Sequence, residues 1–174
     1  GITAMNFFVV PTVTFRLLYV GFVIDHGRRR IIHFNMTTNP TATWVSQQLR
    51  EAFPNDSAPH YLIFDNDSIF SDEVSRSINA LGIMPKRTAF RSPWQNATAE
   101  RWVGTCKREL IDHVVVLGED HLCRLLRDYV TYFTYDTPDN ADRVHTRLAD
   151  YLTAYCLLIT SPSPRDATLP PMPF

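Results

Sequence analysis

The stretch from Tyr61 to Arg108 limits what this chain can fold into more than any other. It opens with an apolar run that ends in acid, Tyr-Leu-Ile-Phe-Asp-Asn-Asp at 61–67. It closes with Ser-Pro-Trp-Gln-Asn-Ala-Thr-Ala-Glu-Arg-Trp-Val-Gly at 92–104. A short apolar run of this kind reads as a buried strand that delivers Asp65 at its carboxyl end, where α/β sheets place their chemistry. Glu100 then falls in the first turns of a helix entered through a polar, proline-containing loop. The separation, 100 − 65 = 35 positions, leaves room for one helix and one short strand between the two acids. Two carboxylates brought together in this way are candidate ligands for a hard cation such as Mg²⁺.

The flanking sequence predicts an α/β domain: a mixed sheet with an antiparallel hairpin and flanking helices. Met5 to Val10 reads as a first strand ended by Pro11, and Phe15 to Ile24 as a second. Asp25-His26-Gly27-Arg28 supplies a turn, with Asp25 binding nearby backbone N–H groups, and Arg30 to Met36 returns as a third strand. Asn39-Pro40 is a helix start, and Val45, Leu49 and Phe53 recur at helical spacing as far as Pro54. Ser71 can cap a helix with Asp72 and Glu73 in its first turn, a buried stripe of Val74, Ile78 and Leu81, and Gly82 as its terminator. Ile83 to Ala89 follows as a short strand and Phe90 to Ala97 as a loop. A long helix is expected from Thr98 to about Val116, with Glu100, Val103 and Lys107 on one face and Arg101 and Arg108 on another. After Gly118, Leu122, Leu125, Leu126, Tyr129 and Phe133 mark an amphipathic helix. His113 and His121 have no partner at metal-ligand spacing and read as surface or interface histidines.

A chain of 174 residues has room for one domain with a real core, and 45% hydrophobic content argues for a globular fold. The longest apolar stretch, Leu17 to Ile24, is broken by Gly21 and falls well short of the ~20 residues of a membrane span. No secretion leader or membrane partner is expected. The three cysteines, Cys106, Cys123 and Cys156, lack paired spacing, which argues against a disulfide framework or a zinc finger. The net charge of −1 does not itself announce nucleic acid, but its distribution does. From Lys86 to Arg108 six bases (Lys86, Arg87, Arg91, Arg101, Lys107, Arg108) face one acid, Glu100, a local excess that suits a phosphate backbone.

At Phe-Asp-Asn-Asp-Ser-Ile-Phe (64–70) and Ser-Pro-Trp-Gln-Asn-x-x-x-Glu-Arg (92–101) the chain resembles the catalytic core of retroviral-type integrases and insertion-sequence transposases. The resemblance implies an RNase H-like fold over residues 1–135 and an Asp–Asp–Glu triad that holds two Mg²⁺ or Mn²⁺ ions. It also implies DNA as partner, homo-oligomers, no small-molecule substrate, and a cytoplasmic protein, nucleoid-associated if bacterial. Within it Asp65 and Glu100 map to the second and third acids, and Lys107, two turns beyond Glu100, to a base that contacts DNA. The first acid maps to the first strand, where this chain carries Asn6. Loss of that charge predicts weak or absent phosphodiester strand transfer with the fold retained. Resemblance fades near Tyr135; residues 136–160 read as a divergent helical segment and 161–174, with five of the twelve prolines, as a disordered tail.

Three other readings are open. One is a silenced core that binds nucleic acid without cutting. The second is a haloacid dehalogenase-like phosphatase with Asp65 as nucleophile and Asp67 as general acid; it needs a further acidic pair on the same parallel sheet, and only Glu119-Asp120 follows. The third is a non-catalytic globular protein whose acids are accidental.

Overall fold

A computed structural model describes residues 1–54, 57–89 and 93–135, apart from the side chains of Pro93, Trp94, Tyr132, Thr134 and Tyr135. Arg91, and the expectations for 136–160 and 161–174, lie outside the described residues. Five strands form one sheet: β1 (Ile2–Pro11), β2 (Leu17–Asp25), β3 (Ile31–Thr37), β4 (Tyr61–Phe64) and β5 (Met84–Arg87). Four helices accompany it: α1 (Ala42–Ala52), α2 (Asp72–Ala80), α3 (Ala97–Glu109) and α4 (Glu119–Tyr135). The strand order is β3-β2-β1-β4-β5, with β1, β2 and β3 antiparallel and β4 and β5 joining parallel to β1. The three antiparallel strands remove the parallel sheet that the phosphatase reading requires.

The pleat sorts the sheet residues between two cores. On one face Met5, Val23, Leu62 and Phe64 pack with Val45 and Leu49 of α1, Val74 and Ile78 of α2, and Phe70. On the other, Trp102 of α3 lies 4.3 Å, ring centre to ring centre, from Phe22 and 5.9 Å from Phe8. Phe7 stacks against Phe70 and Trp44 on the first face, and a Cβ on Gly21 would come within 2.7 Å of its ring. Glycine at 21 is therefore required by close approach.

The element ends depart from the sequence expectation where side chains, not propensity, decide. Phe15 sits at a positive φ of 58° in a tight turn closed by Thr12 and Arg16, so β2 begins at Leu17 and β1 runs through Pro11. Helix α1 starts after Thr41, whose Oγ1 accepts from the Trp44 N–H, instead of at Asn39-Pro40. The expected long helix stops at Glu109: Leu110 is fully buried, a 3-10 turn spans Ile111–His113, and the Val116 carbonyl accepts from the Val13 N–H at 2.7 Å. Residues 114–117 are drawn out along the β1–β2 turn. His121, expected at the surface, is buried, and its Nδ1 accepts from the Leu117 N–H. Gly82 does terminate α2, at φ +74°. Among the described residues no helix is long and apolar enough to cross a membrane.

Candidate active site

The parallel pairing of β1 with β4 aligns Met5 with Phe64. The next residue on each strand, Asn6 and Asp65, therefore emerges abreast at the carboxyl end of the pair, on the face covered by α3. The pairing of Phe64 with Arg87 carries the same alignment to β5 and sets Thr88 beside Asp65. The geometry follows the register: Thr88 Oγ1 donates to Asp65 Oδ1 at 2.7 Å, and the Asn66 N–H donates to the same oxygen at 2.7 Å.

The third group arrives from α3. Asn6 Nδ2 donates to Glu100 Oε1 at 2.7 Å, across 94 positions of chain. The other end of that amide is also held, since Asn6 Oδ1 accepts from the Phe7 N–H at 2.7 Å. These two partners fix the amide's orientation. Flipping it would set oxygen against the Glu100 carboxylate and nitrogen against a backbone N–H, losing both bonds at once. Asn6 is 7% exposed, while Asp65 and Glu100 are half-buried. The structure thus brings Asn6 into contact with Glu100, and the strand register sets Asp65 next to Asn6.

Two positioning contacts were not read from the sequence. Asn96, just before α3 and nearly fully buried, reaches the Met5 carbonyl with Nδ2 at 3.4 Å, tying the start of the helix to the strand that carries Asn6. Gln95 Oε1 accepts from the Ala89 N–H at 2.7 Å and closes the loop between β5 and α3. The Gln-Asn pair ahead of Glu100 was visible as sequence. Its bonding was not, because both partners lie on other elements.

The bases divide. Arg101, Lys107 and Arg108 are exposed on α3, Lys107 about 10 Å along the helix axis from Glu100 at 1.5 Å per residue. Lys86 shares the pleat face of Asp65, its Nζ lying 5.5 Å from the Tyr61 ring centre. Arg87 turns to the opposite face, where Nη2 donates to the Phe70 carbonyl at 2.6 Å and lies 3.8 Å from Asp72. Its guanidinium is thereby engaged within the fold, away from the acids. Asp67, the proposed acid of the phosphatase reading, accepts from Ser68 and from the Ile69 N–H as a turn residue. Asp25 likewise accepts from the N–H groups of Gly27 and Arg28, as expected of it.

Among the described residues no three His, Cys, Asp or Glu side chains are grouped to hold a metal. The donor set at the site is two carboxylates and an amide whose N–H, not its oxygen, faces Glu100. A hard cation would take oxygen donors of this kind, and Asp65 Oδ2 and Glu100 Oε2 lie outside the hydrogen bonds just described. A second ion would lack its carboxylate.

Over 102 residues, 54% of its length, the chain is 34% identical to the putative transposase InsD for insertion element IS2E of Escherichia coli (strain K12), covering 47% of that protein. It is equally similar, at 34% over 102 residues, to the transposase InsD for insertion element IS2D of the same strain, covering 34% of it. Over that span the chain is similar in sequence to insertion-sequence transposases. It spans less than half the length of these curated relatives, and no family model matches it. Among solved structures, the HTLV-2 integrase catalytic core domain in complex with magnesium superimposes with a TM-score of 0.60 at 14% identity, over 82% of this chain and 90% of that one. The catalytic core domain of BIV integrase gives 0.56 at 12% identity, over 88% and 97%. The chain has the RNase H-like fold of integrase catalytic cores.

Proposed function

We propose that this chain is the catalytic-core portion of a DNA transposase, with Asp65 and Glu100 as the surviving acids of its site and Asn6 in place of the first. One observation carries the reading: Asn6 on β1 donates to Glu100 on α3 at 2.7 Å, beside the end of β4 from which Asp65 follows. Asp65 and Glu100 would hold a divalent cation, Mg²⁺ or Mn²⁺, which when bound supplies positive charge against a phosphodiester and its attacking oxygen. The chain's own residues do the rest. Thr88 and the Asn66 N–H fix the rotamer of Asp65, and Asn6 holds Glu100 through Oε1. Lys107, Arg101, Arg108 and Lys86 present the cationic face to the DNA backbone, and a homo-oligomer would bring two such faces to one duplex.

Asn6 weakens the reaction. Unit charges at ~4 Å and an effective dielectric of ~20 interact by about 4 kcal/mol, so a carboxylate facing a doubly charged ion gains about 8. Turning the amide oxygen inward and adding water recovers part of this; a loss of about 4 kcal/mol remains, roughly a thousandfold in rate. Strand transfer by the natural chain and by Asn6→Asp, with Mg²⁺ and a labelled donor duplex, tests the reading. Activity that appears or rises by orders of magnitude in Asn6→Asp supports it. Full-rate joining by the natural chain, unchanged in the variant, refutes it.

A further inference from the structure

Outside the acid cluster, a cavity of about 150 Å³ lies between the start of α3, the β2–β3 turn and the last turn of α4. Its floor is apolar, made by Ile24, Trp102 and Phe133. Its polar lining consists only of donors or neutral hydroxyls: Arg29 and Arg101, with Thr98 and Thr105 between them. Among the described residues no acid lines it, and neither guanidinium has a carboxylate within ion-pair distance. Thr98, Arg101 and Thr105 recur at helical spacing, so α3 presents this stripe beside the face that carries Glu100. Arg29 stands at φ 53°, a conformation that side chains other than glycine seldom adopt and that concentrates at functional sites. Trp102, only 2% exposed, leaves its indole N–H without an acceptor among the described residues.

An apolar floor under two unpaired guanidiniums suits an anion that also carries a planar, uncharged ring. We infer that this cavity is a nucleotide subsite for a DNA strand, the phosphate on Arg29 and Arg101 and the base or sugar over Trp102, Ile24 and Phe133. Guanidinium forks match phosphate oxygens, and aromatic floors accept nucleobases of any sequence. The site rests on the proposed action on DNA and extends it: a strand held at Glu100 would continue around α3 into the cavity, so Arg29, in the β2–β3 turn and 65 − 29 = 36 positions before Asp65, becomes part of the DNA-binding surface.

The test uses the full chain, a short fluorescent duplex and anisotropy over a range of salt. Arg29→Gly suits the local backbone, and Arg101→Gln keeps the stem on an exposed helix position, so unchanged thermal melting verifies the fold. The double variant is expected to bind about tenfold more weakly, with a log–log salt dependence shallower by about one to two. Arg50→Gln, on α1, should leave both unchanged. At matched ionic strength, thymidine 5′-monophosphate should quench tryptophan fluorescence in the natural chain but not in Trp102→Phe, and inorganic phosphate should quench neither. Equal affinity and slope in the double variant, with the natural chain binding DNA, overturn the subsite and leave the transposase reading standing. Equal responses to phosphate and nucleotide reduce the cavity to a plain anion site and overturn the nucleotide assignment. No DNA binding by the natural chain overturns both readings.

Discussion

Replacing Asn6 by aspartate should make the stability of this fold depend on divalent cations. In the natural chain the amide donates to Glu100 and leaves nothing to repel. In Asn6→Asp two carboxylates would face each other across the same 2.7 Å contact. Glu100 is half-buried on the first turn of α3 and can swing outward. At a relaxed separation of ~5 Å and an effective dielectric of ~20–40, the repulsion is about 1.5–3 kcal/mol. The lost hydrogen bond to a charged acceptor adds about 1 kcal/mol after discounting for solvent. The variant should therefore lose about 2–4 kcal/mol in chelator, a fall in Tm of roughly 4–16 °C. Excess Mg²⁺ at ~100 times its Kd should return about 2.7 kcal/mol to the variant. The natural chain, with two acids already separated by an amide, should respond far less. Differential scanning fluorimetry with EDTA, Mg²⁺ and Ca²⁺ reads all of this in one plate. An unchanged Tm for Asn6→Asp in EDTA, or identical Mg²⁺ shifts for both proteins, would refute the claim that position 6 completes a carboxylate site.

Other expectations follow from contacts described above. Thr88→Val removes the hydroxyl from Asp65 Oδ1, and should lower stability by about 1 kcal/mol in denaturant titration while reducing any Mg²⁺-dependent activity of Asn6→Asp. Gly21→Ala drives a methyl into the Phe7 ring and should lose about 1–3 kcal/mol in the same titration, with the Phe7–Phe70 and Phe7–Trp44 contacts disturbed. Burial, and secondarily Glu109, push the Cys106 thiol up to about 12 from an ordinary 9.0. Cys106 should resist alkylation at pH 8 in the folded chain while the half-exposed Cys123 reacts, as peptide mass spectrometry would show. The sign for stability is set by the same shift: above pH 9 the unfolded thiol ionises and the folded one does not, so this group lowers stability from pH 9 toward 12.

The strand that presents Asp65 was legible because four apolar or aromatic residues before an acid leave few alternatives, and Asn6 only through the resemblance, which maps the first acid to the first strand. The spacing to Glu100 could be read as one helix and one strand, and both formed, as α2 and β5. What escaped was whatever depends on register. Thr88 is an ordinary threonine until Phe64 is known to pair with Arg87. The same parity separates Lys86 from Arg87, two neighbouring bases that read alike in a charge count yet occupy opposite faces of the sheet. The buried polar residues of α1 escaped for the same reason. Gln48 accepts from Asn35 and contacts His33 on β3, and Ser46 donates to Ser77 on α2, so polar side chains fill core positions that helical spacing alone assigns to apolar ones. The end of α3 escaped because no glycine or proline marks it; burial of Leu110 and capture of the Val116 carbonyl by the β1–β2 turn override a helical sequence.

Among the described residues strand β5 lies at the edge of the sheet, and its outward backbone is the natural place for another chain to add a strand. The N–H groups of Met84 and Thr88 point inward to the His60 and Phe64 carbonyls, which leaves the Pro85 nitrogen on the open side, where proline has no hydrogen to offer. The exposed Lys86 adds positive charge at that border. A sheet blunted in this way resists extension and fibril-like stacking at one margin, so self-association of these domains is steered toward helices and toward the opposite border at β3.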